Sequence, residues 1–363
     1  MRLFSIQTRM VISLHLRVIG FIVFALLMVA FSIDLASTGK QLINTSQGSL
    51  AHTIARYLTY RGVDIVTRLL PMACLAGGLI AELLRRQRME TVILSASGAA
   101  PWAMLPALAL IGLLLGGLQV VMETHLRPWA VFQQVETGLG RYADRFGPEL
   151  SQPQWVVKNA TALRARIGRD DDPEMADIMV FSGLNDAELS AITMAKSAHP
   201  TAVDNQWILR DVVTWQHGAD SRMIKQQHHQ LVTDLPVTAA ELRYFAVPAL
   251  YLPQRDLRRV LALPRPGGDA RTAGLRRYGA LFLPGICALL GAALGHAAWR
   301  ERRLNPLRAV GFGALGYVSV VSVKIFWALG EHDVLPPAWA AFGGMIWMAL
   351  LASALILRQS LRP

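Results

Sequence analysis

Apolar residues in this chain come in long blocks rather than as an even scatter. Three blocks, at about 14–36, 61–83 and 100–122, precede a long polar region, and three more follow it at about 278–299, 308–330 and 336–357. Each is close to the roughly 20 residues a helix needs to cross a hydrocarbon core of about 30 Å. The pattern predicts six membrane-spanning helices in a 3 + 3 arrangement around an inserted polar domain. The third block is the cleanest. The second is impure, with Asp64, Arg68 and Glu82 in or near it.

Inside the polar region the period changes. "QWVVKNATALRARIG" (154–168), "ADIMVFSG" (176–183) and "QWILRDVVTWQHG" (206–218) are short apolar or alternating runs that stop at glycines. Such runs, separated by turn residues, predict an all-β domain of sandwich or roll type. "RDDDPEMAD" (169–177) is a solvated loop. The Pro/Gly-rich stretch 234–271 is a connection back to the membrane. The domains expected are 1–124 (spans 1–3), 125–272 (β domain, jellyroll-like, with its linkers) and 273–363 (spans 4–6).

Basic residues fix an orientation. Arg2, Arg9 and Arg17 precede the first span, and Arg85, Arg86 and Arg88 follow the second. Arg300, Arg302, Arg303 and Arg308 separate the fourth and fifth, and Arg358 and Arg362 close the chain. With six spans all four clusters fall on one side. The positive-inside rule makes that side cytoplasmic, which puts both termini inside and the β domain outside. The apolar region Val18–Ile33 is long for a signal peptide, so a retained first span is expected.

Composition agrees. Of 363 residues 53% are hydrophobic and only 17% charged, against about a quarter charged in soluble domains. The net charge of +11 follows from the basic loops and does not require a nucleic-acid partner. Cys74 and Cys287 both lie in apolar blocks, so a disulfide framework in the β domain is excluded.

Between the second and third spans, "ELLRRQRMETVILSASG" (82–98) starts basic, continues with apolar residues at helical spacing and ends at Gly98. An amphipathic helix here can lie on the lipid surface with arginines at the headgroups, or dock in a groove of a partner. Glu90 favours docking, because an acid suits a basic partner better than an anionic surface. Elsewhere, Asp64 and Arg68 share a helix face, Arg56 and Arg61 lie nearby, and Lys324 interrupts the fifth span. Each has a bland reading as a local ion pair or a snorkelling cation. Together, basic residues at one mouth suit a phosphate-bearing ligand. Pro71 and Pro284 are candidate flex points in spans 2 and 4.

The chain has no G-x-x-x-x-G-K-[ST] loop, H-E-x-x-H or G-x-S-x-G motif, so neither ATP hydrolysis nor metal or serine hydrolase chemistry is expected of it. His217, His228 and His229 lack metal-ligand spacing and are read as surface residues.

The organisation resembles the LptF/LptG permease family of the lipopolysaccharide exporter, over essentially the whole chain. "LLPMACLAGGLIAELLRRQRMETVILSASGAAPWAM" (69–104) is similar to the family's second span, cytoplasmic helix and third-span start, with Pro71, Glu90, Ala96, Ser97 and Gly98 in pattern. "RRYGALFLPGICALLGAALG" (276–295) is similar to its fourth-span entry, and "QWILRDVVTW" to a strand carrying W-x-L-x-D-V. The resemblance implies a heterodimer with a sister permease, and a cytoplasmic ATPase dimer that uses ATP and Mg outside this chain. It also implies single-span and soluble periplasmic jellyroll partners, and a location in the bacterial inner membrane. Helix 82–98 would be the coupling helix, with Arg85, Arg86, Arg88, Glu90, Ser97 and Gly98 at the contact. The LptG type often carries a lysine near the outer end of span 1, where Phe31 or Ser32 stands here. Lipid-phosphate contacts would then fall to Lys40, Arg56, Arg61, Arg68 or Lys324, with spans 1 and 5 as the lateral gate. The ending "GEHDVLPP" of the fifth span leans to the LptG type. Rivals are a four-span lipoprotein-release or macrolide-efflux permease, disfavoured by the 3 + 3 split, a non-transport envelope scaffold, and a membrane hydrolase.

Overall fold

The computed structural model describes residues 6–45, 49–90, 93, 104–138, 140, 142, 153–158, 160–167, 174–184, 189–201, 206–217, 223–238, 247–262, 266–300 and 303–360. They divide into two compact units, a helical one (Met1–Gln134 with Ala249–Pro363) and a β one (Val135–Pro248). Residues 125–134 and 249–272, assigned from the sequence to the β domain and its linkers, thus cluster with the helices.

The helical unit contains α1 (Ile6–Thr45), α2 (Leu50–Gln87) and α3 (Leu105–Val121), the last continuing through a π turn (Met122–Leu126) into α4 (Arg127–Glu136). After a 3-10 turn (Ala249–Tyr251) come α5 (Gln254–Leu261), α6 (Gly268–Gly279), α7 (Leu283–Ala297), α8 (Pro306–Glu331) and α9 (Pro337–Ser360). Among the described residues five helices are long and apolar enough to cross a membrane, or six if α6 and α7, bent by 61°, count as one span. At 40 residues, α1 is roughly 60 Å long, about twice the hydrocarbon thickness.

The bend in the fourth span corrects one expectation. Pro284 does not interrupt a helix. It stands in the first turn of α7, where a missing N–H costs nothing, and the chain turns before it, at Ala280–Phe282. Pro71, by contrast, does lie inside a continuous α2.

The buried side of α7 is the centre of the unit: Cys287, Ala288, Leu290, Ala292 and Leu294 are fully enclosed against α2, α3, α8 and α9. Small residues permit that closeness. A Cβ on Gly112 would come within 2.7 Å of the Gly285 Cα, and one on Gly116 would run into the Leu281 carbonyl. The outer faces of α1 (Phe21, Phe24, Met28, Ile33) and α8 (Val310, Tyr317, Val318, Ile325) are exposed and apolar, as lipid contact requires.

In the β unit, β1 (Gln154–Lys158), β2 (Thr161–Ile167), β3 (Met175–Ser182), β4 (Ala191–Pro200), β5 (Gln206–His217) and β6 (Met223–Asp234) form one antiparallel sheet in sequential order. Its core gathers Leu163, Ile178, Trp207, Leu209 and Val212. The W-x-L-x-D-V run now has a physical reading. Trp207 and Leu209 point inward by strict alternation. Asp211, at φ +52°, is left out of the backbone register with both β4 and β6; it bulges and resets the phase, so that Val212 rather than Val213 enters the core. Asp177 in β3, also at positive φ, marks a similar irregularity against β2. The Trp207 indole donates to the Val237 carbonyl at 2.8 Å, so its buried N–H is satisfied.

Candidate functional site

Three buried polar positions on α3 and its continuation, Gln119, Glu123 and Arg127, repeat every four residues and share one helix face. Each meets a different need. Pro71 has no N–H, so the carbonyl of Thr67, four residues earlier in α2, loses its helical donor. Gln119 Nε2 replaces it, donating to Thr67 O at 3.0 Å and to Glu123 Oε1 at 3.0 Å. Arg127 Nε reaches Asp64 at 2.8 Å, and its guanidinium lies 4.9 Å from the centroid of Tyr251. The π turn that carries Glu123 is of a kind often found at functional sites.

Opposite this face stands Arg276, near the end of α6. Its guanidinium lies 3.6 Å from the Trp327 ring centroid and 3.5 Å from Glu123 Oε1. The amino end of α6 is fixed by Asp333, which accepts from the Gly268 N–H at 3.1 Å and from Arg271 at 2.6 Å. Together these elements line a cavity of about 250 Å³, whose wall includes Arg68, Arg127, Arg276 and Lys324 with Glu123 and Glu331, and apolar Pro71, Leu283, Val320 and Val323. Four cations face two carboxylates. Arg127 Nη1, Arg276 Nε and Glu123 Oε2 are buried without hydrogen-bond partners. Such a wall can bind an anion that accepts several N–H donors beside an apolar surface.

The expected lipid-phosphate residues separate into distinct environments. Arg68 and Lys324 both reach the cavity. Lys324 is exposed and makes no ion pair among the described residues, whereas Arg68 also pairs with Asp64 and donates to the Tyr251 hydroxyl at 2.8 Å. Arg61 lies outside the cavity lining. It is held by Asp34 at 2.8 Å and Asp64 at 3.2 Å, while the Tyr57 hydroxyl donates to the same Asp34. This cluster ties α1 to α2. Lys40 is exposed on α1, and Arg56 rests by Tyr60 on α2. Sequence reasoning missed Arg127 and Arg276. The available signal was the basic pair Arg276–Arg277 at the mouth of an apolar block, but nothing local distinguishes a lining arginine from a snorkelling one.

At the other end of α2 the helix expected over 82–98 is not one separate element. Residues 82–87 complete α2, and the chain breaks at Met89, at φ +57°. Glu82 and Arg85 are buried, since α2 remains packed against α7 there. Arg86 contacts His296, Arg88 caps the helix end, and Glu90 lies 3.7 Å from Arg85. Ser97 and Gly98 lie outside the described residues.

No curated protein matches the chain. A family model described as "Lipopolysaccharide export system permease LptF/LptG" matches residues 9–358. That match takes in both groups of apolar helices and the inserted β unit, so the chain belongs to the LptF/LptG family of lipopolysaccharide export permeases.

Proposed function

We propose that this chain is the LptG-type half of a heterodimeric permease that takes lipopolysaccharide out of the inner membrane under power from a separate cytoplasmic ATPase dimer. The sister permease completes the membrane passage. The β unit faces the periplasm, both termini face the cytoplasm, and lipid passes to single-span and soluble jellyroll partners. ATP and Mg belong to the ATPase. Glu90 and the exposed Arg88 beside it meet that ATPase, while Arg85 is buried behind them, and the segment through Ser97 and Gly98 completes the contact.

The observation that supports this reading most directly is the cavity in which Arg68, Arg127, Arg276 and Lys324 outnumber Glu123 and Glu331 beside apolar helix surfaces. The cations hold the phosphates of the lipid, and the neighbouring apolar surface of α8 holds acyl chain. Lys324 takes the leading role because no carboxylate among the described residues neutralises it.

The test is lipopolysaccharide binding and ATP-driven release by the reconstituted transporter carrying Lys324→Glu. The expected result is a loss on the order of tenfold in lipid affinity, equivalent to about 1.4 kcal/mol, with assembly intact. Unchanged affinity would remove the cavity from the lipid path.

A further inference from the structure

Where α2 ends, one carboxylate joins four other groups. Glu82 is fully buried, at 0% exposure, and Arg85 is 3% exposed. Glu82 Oε2 accepts from Arg85 Nη1 at 2.8 Å, and its Oε1 lies 3.4 Å from His296 Nδ1 in the last turn of α7. Arg86 contacts the same His296 ring. On the far side, Arg85 Nε lies 3.7 Å from Glu90 Oε2, beyond the break at Met89. A continuous chain of polar side chains, His296–Glu82–Arg85–Glu90, therefore runs from α7 to the segment after α2.

This cluster sits at the end of a rigid seam. A Cβ on Gly78 would meet the Ala288 carbonyl, one on Gly291 the Leu75 carbonyl, and one on Gly295 the Leu79 carbonyl at 2.6 Å and the Glu82 Cβ at 3.2 Å. Backbone thus rests on backbone along the crossing of α2 and α7. Two helices in such contact shift as one body, because close-packed interiors do not deform continuously. Gly295, next to His296, sets the approach that lets the imidazole reach Glu82.

Burying this many charges is a poor way to gain stability: well-packed apolar residues often serve as well or better. Its product is a fixed geometry. We propose that Glu82 is a positioning residue for energy coupling: it locks Glu90, through Arg85, and α7, through His296, to the end of α2. A push received at Glu90 then moves α2 and α7 together, and with them the cavity residues Arg68 and Leu283. The inference rests on the coupling reading given above for Glu90.

The experiment uses the complete transporter in phosphatidylethanolamine–phosphatidylglycerol vesicles containing lipopolysaccharide. ATP hydrolysed and lipopolysaccharide released are measured on the same vesicles. Glu82→Gln keeps the shape and removes the charge. It is expected to lower lipid released per ATP about fivefold or more while hydrolysis per assembled complex stays within about twofold. His296→Leu is expected to do the same, and the double variant to be no worse than either alone, as for members of one coupled unit. If Glu82→Gln does not assemble, His296→Leu is read by the same criterion. An unchanged ratio of lipid to ATP overturns the inference, and so does a parallel fall in hydrolysis and release, which marks a purely structural role. If wild-type vesicles release no lipid with ATP, the coupling reading itself fails and this inference falls with it; a coupled wild type with an indifferent variant sinks the inference alone.

Discussion

Gln119 on α3 donates through Nε2 to the backbone carbonyl of Thr67 on α2 at 3.0 Å, filling the hydrogen-bond position that Pro71 leaves open. A proline in a membrane helix thus has its cost met by a side chain from a neighbouring helix. Replacing Gln119 with Leu should lower stability by about 1–3 kcal/mol, the penalty for an unmet buried carbonyl. In a Pro71→Ala background the helix supplies its own donor, so the same change should cost much less. Thermal unfolding of the four proteins in detergent gives the cycle. Equal costs in the two backgrounds would mean that Gln119 does not serve the Pro71 gap.

Arg276 and Glu123 form a buried pair at 3.5 Å, with Arg276 also stacked on Trp327. Losing one member of a buried pair leaves the other uncompensated and costs about 3–5 kcal/mol, whereas losing both costs far less. Arg276→Met should therefore reduce the unfolding midpoint more than Arg276→Met with Glu123→Gln. The double variant should still bind lipopolysaccharide weakly, because the cation is gone. A double variant no more stable than the single one would show that the two charges do not depend on each other.

Arg61 was a lipid-contact candidate, but Asp34 and Asp64 occupy it. Arg61→Leu should destabilise the protein by about 2 kcal/mol, a partly buried pair being worth less than a fully enclosed one. Lipopolysaccharide affinity of the surviving folded protein should stay unchanged. Lys324→Ala should give the opposite result, with affinity reduced and the midpoint unmoved. Reversed outcomes would exchange their roles.

Gly116 and Gly117 are neighbours with different surroundings. A Cβ at Gly116 would collide with the Leu281 carbonyl, while one at Gly117 meets nothing within 4 Å. Gly116→Ala should force α3 away from the turn between α6 and α7 and lower the melting midpoint. Gly117→Ala should be neutral or raise stability by up to about 1 kcal/mol, the helix-propensity gain. Equal sensitivity at the two positions would contradict the close crossing.

Much of the architecture was legible because membrane and strand periods are local. Six apolar blocks marked the spans, and the alternation through Trp207 and Leu209 marked a strand, whereas the bulge at Asp211 that brings in Val212 instead of Val213 left no local sign. Local patterns also misled. Pro284 read as a kink within a helix but opens one, since the turn at Ala280–Phe282 carries no sequence sign as strong as a proline. Residues 82–87 read as the start of a separate helix over 82–98 because they are charged, yet they finish α2, where the partners of Glu82 and Arg85 lie three residues away in the same helix and across on α7.

By itself the sequence determined where the chain is apolar for long enough to leave water, where it alternates, and which cations are available. Those properties follow from side-chain chemistry and spacing along one strand of chain. Which cation is free was decided only by tertiary structure: Arg61 meets Asp34 from another helix, Arg276 meets Trp327 and Glu123 from two others, and Lys324 meets no carboxylate among the described residues. Charge neutralisation depends on distances of a few ångströms between residues far apart in sequence, and only packing sets those distances.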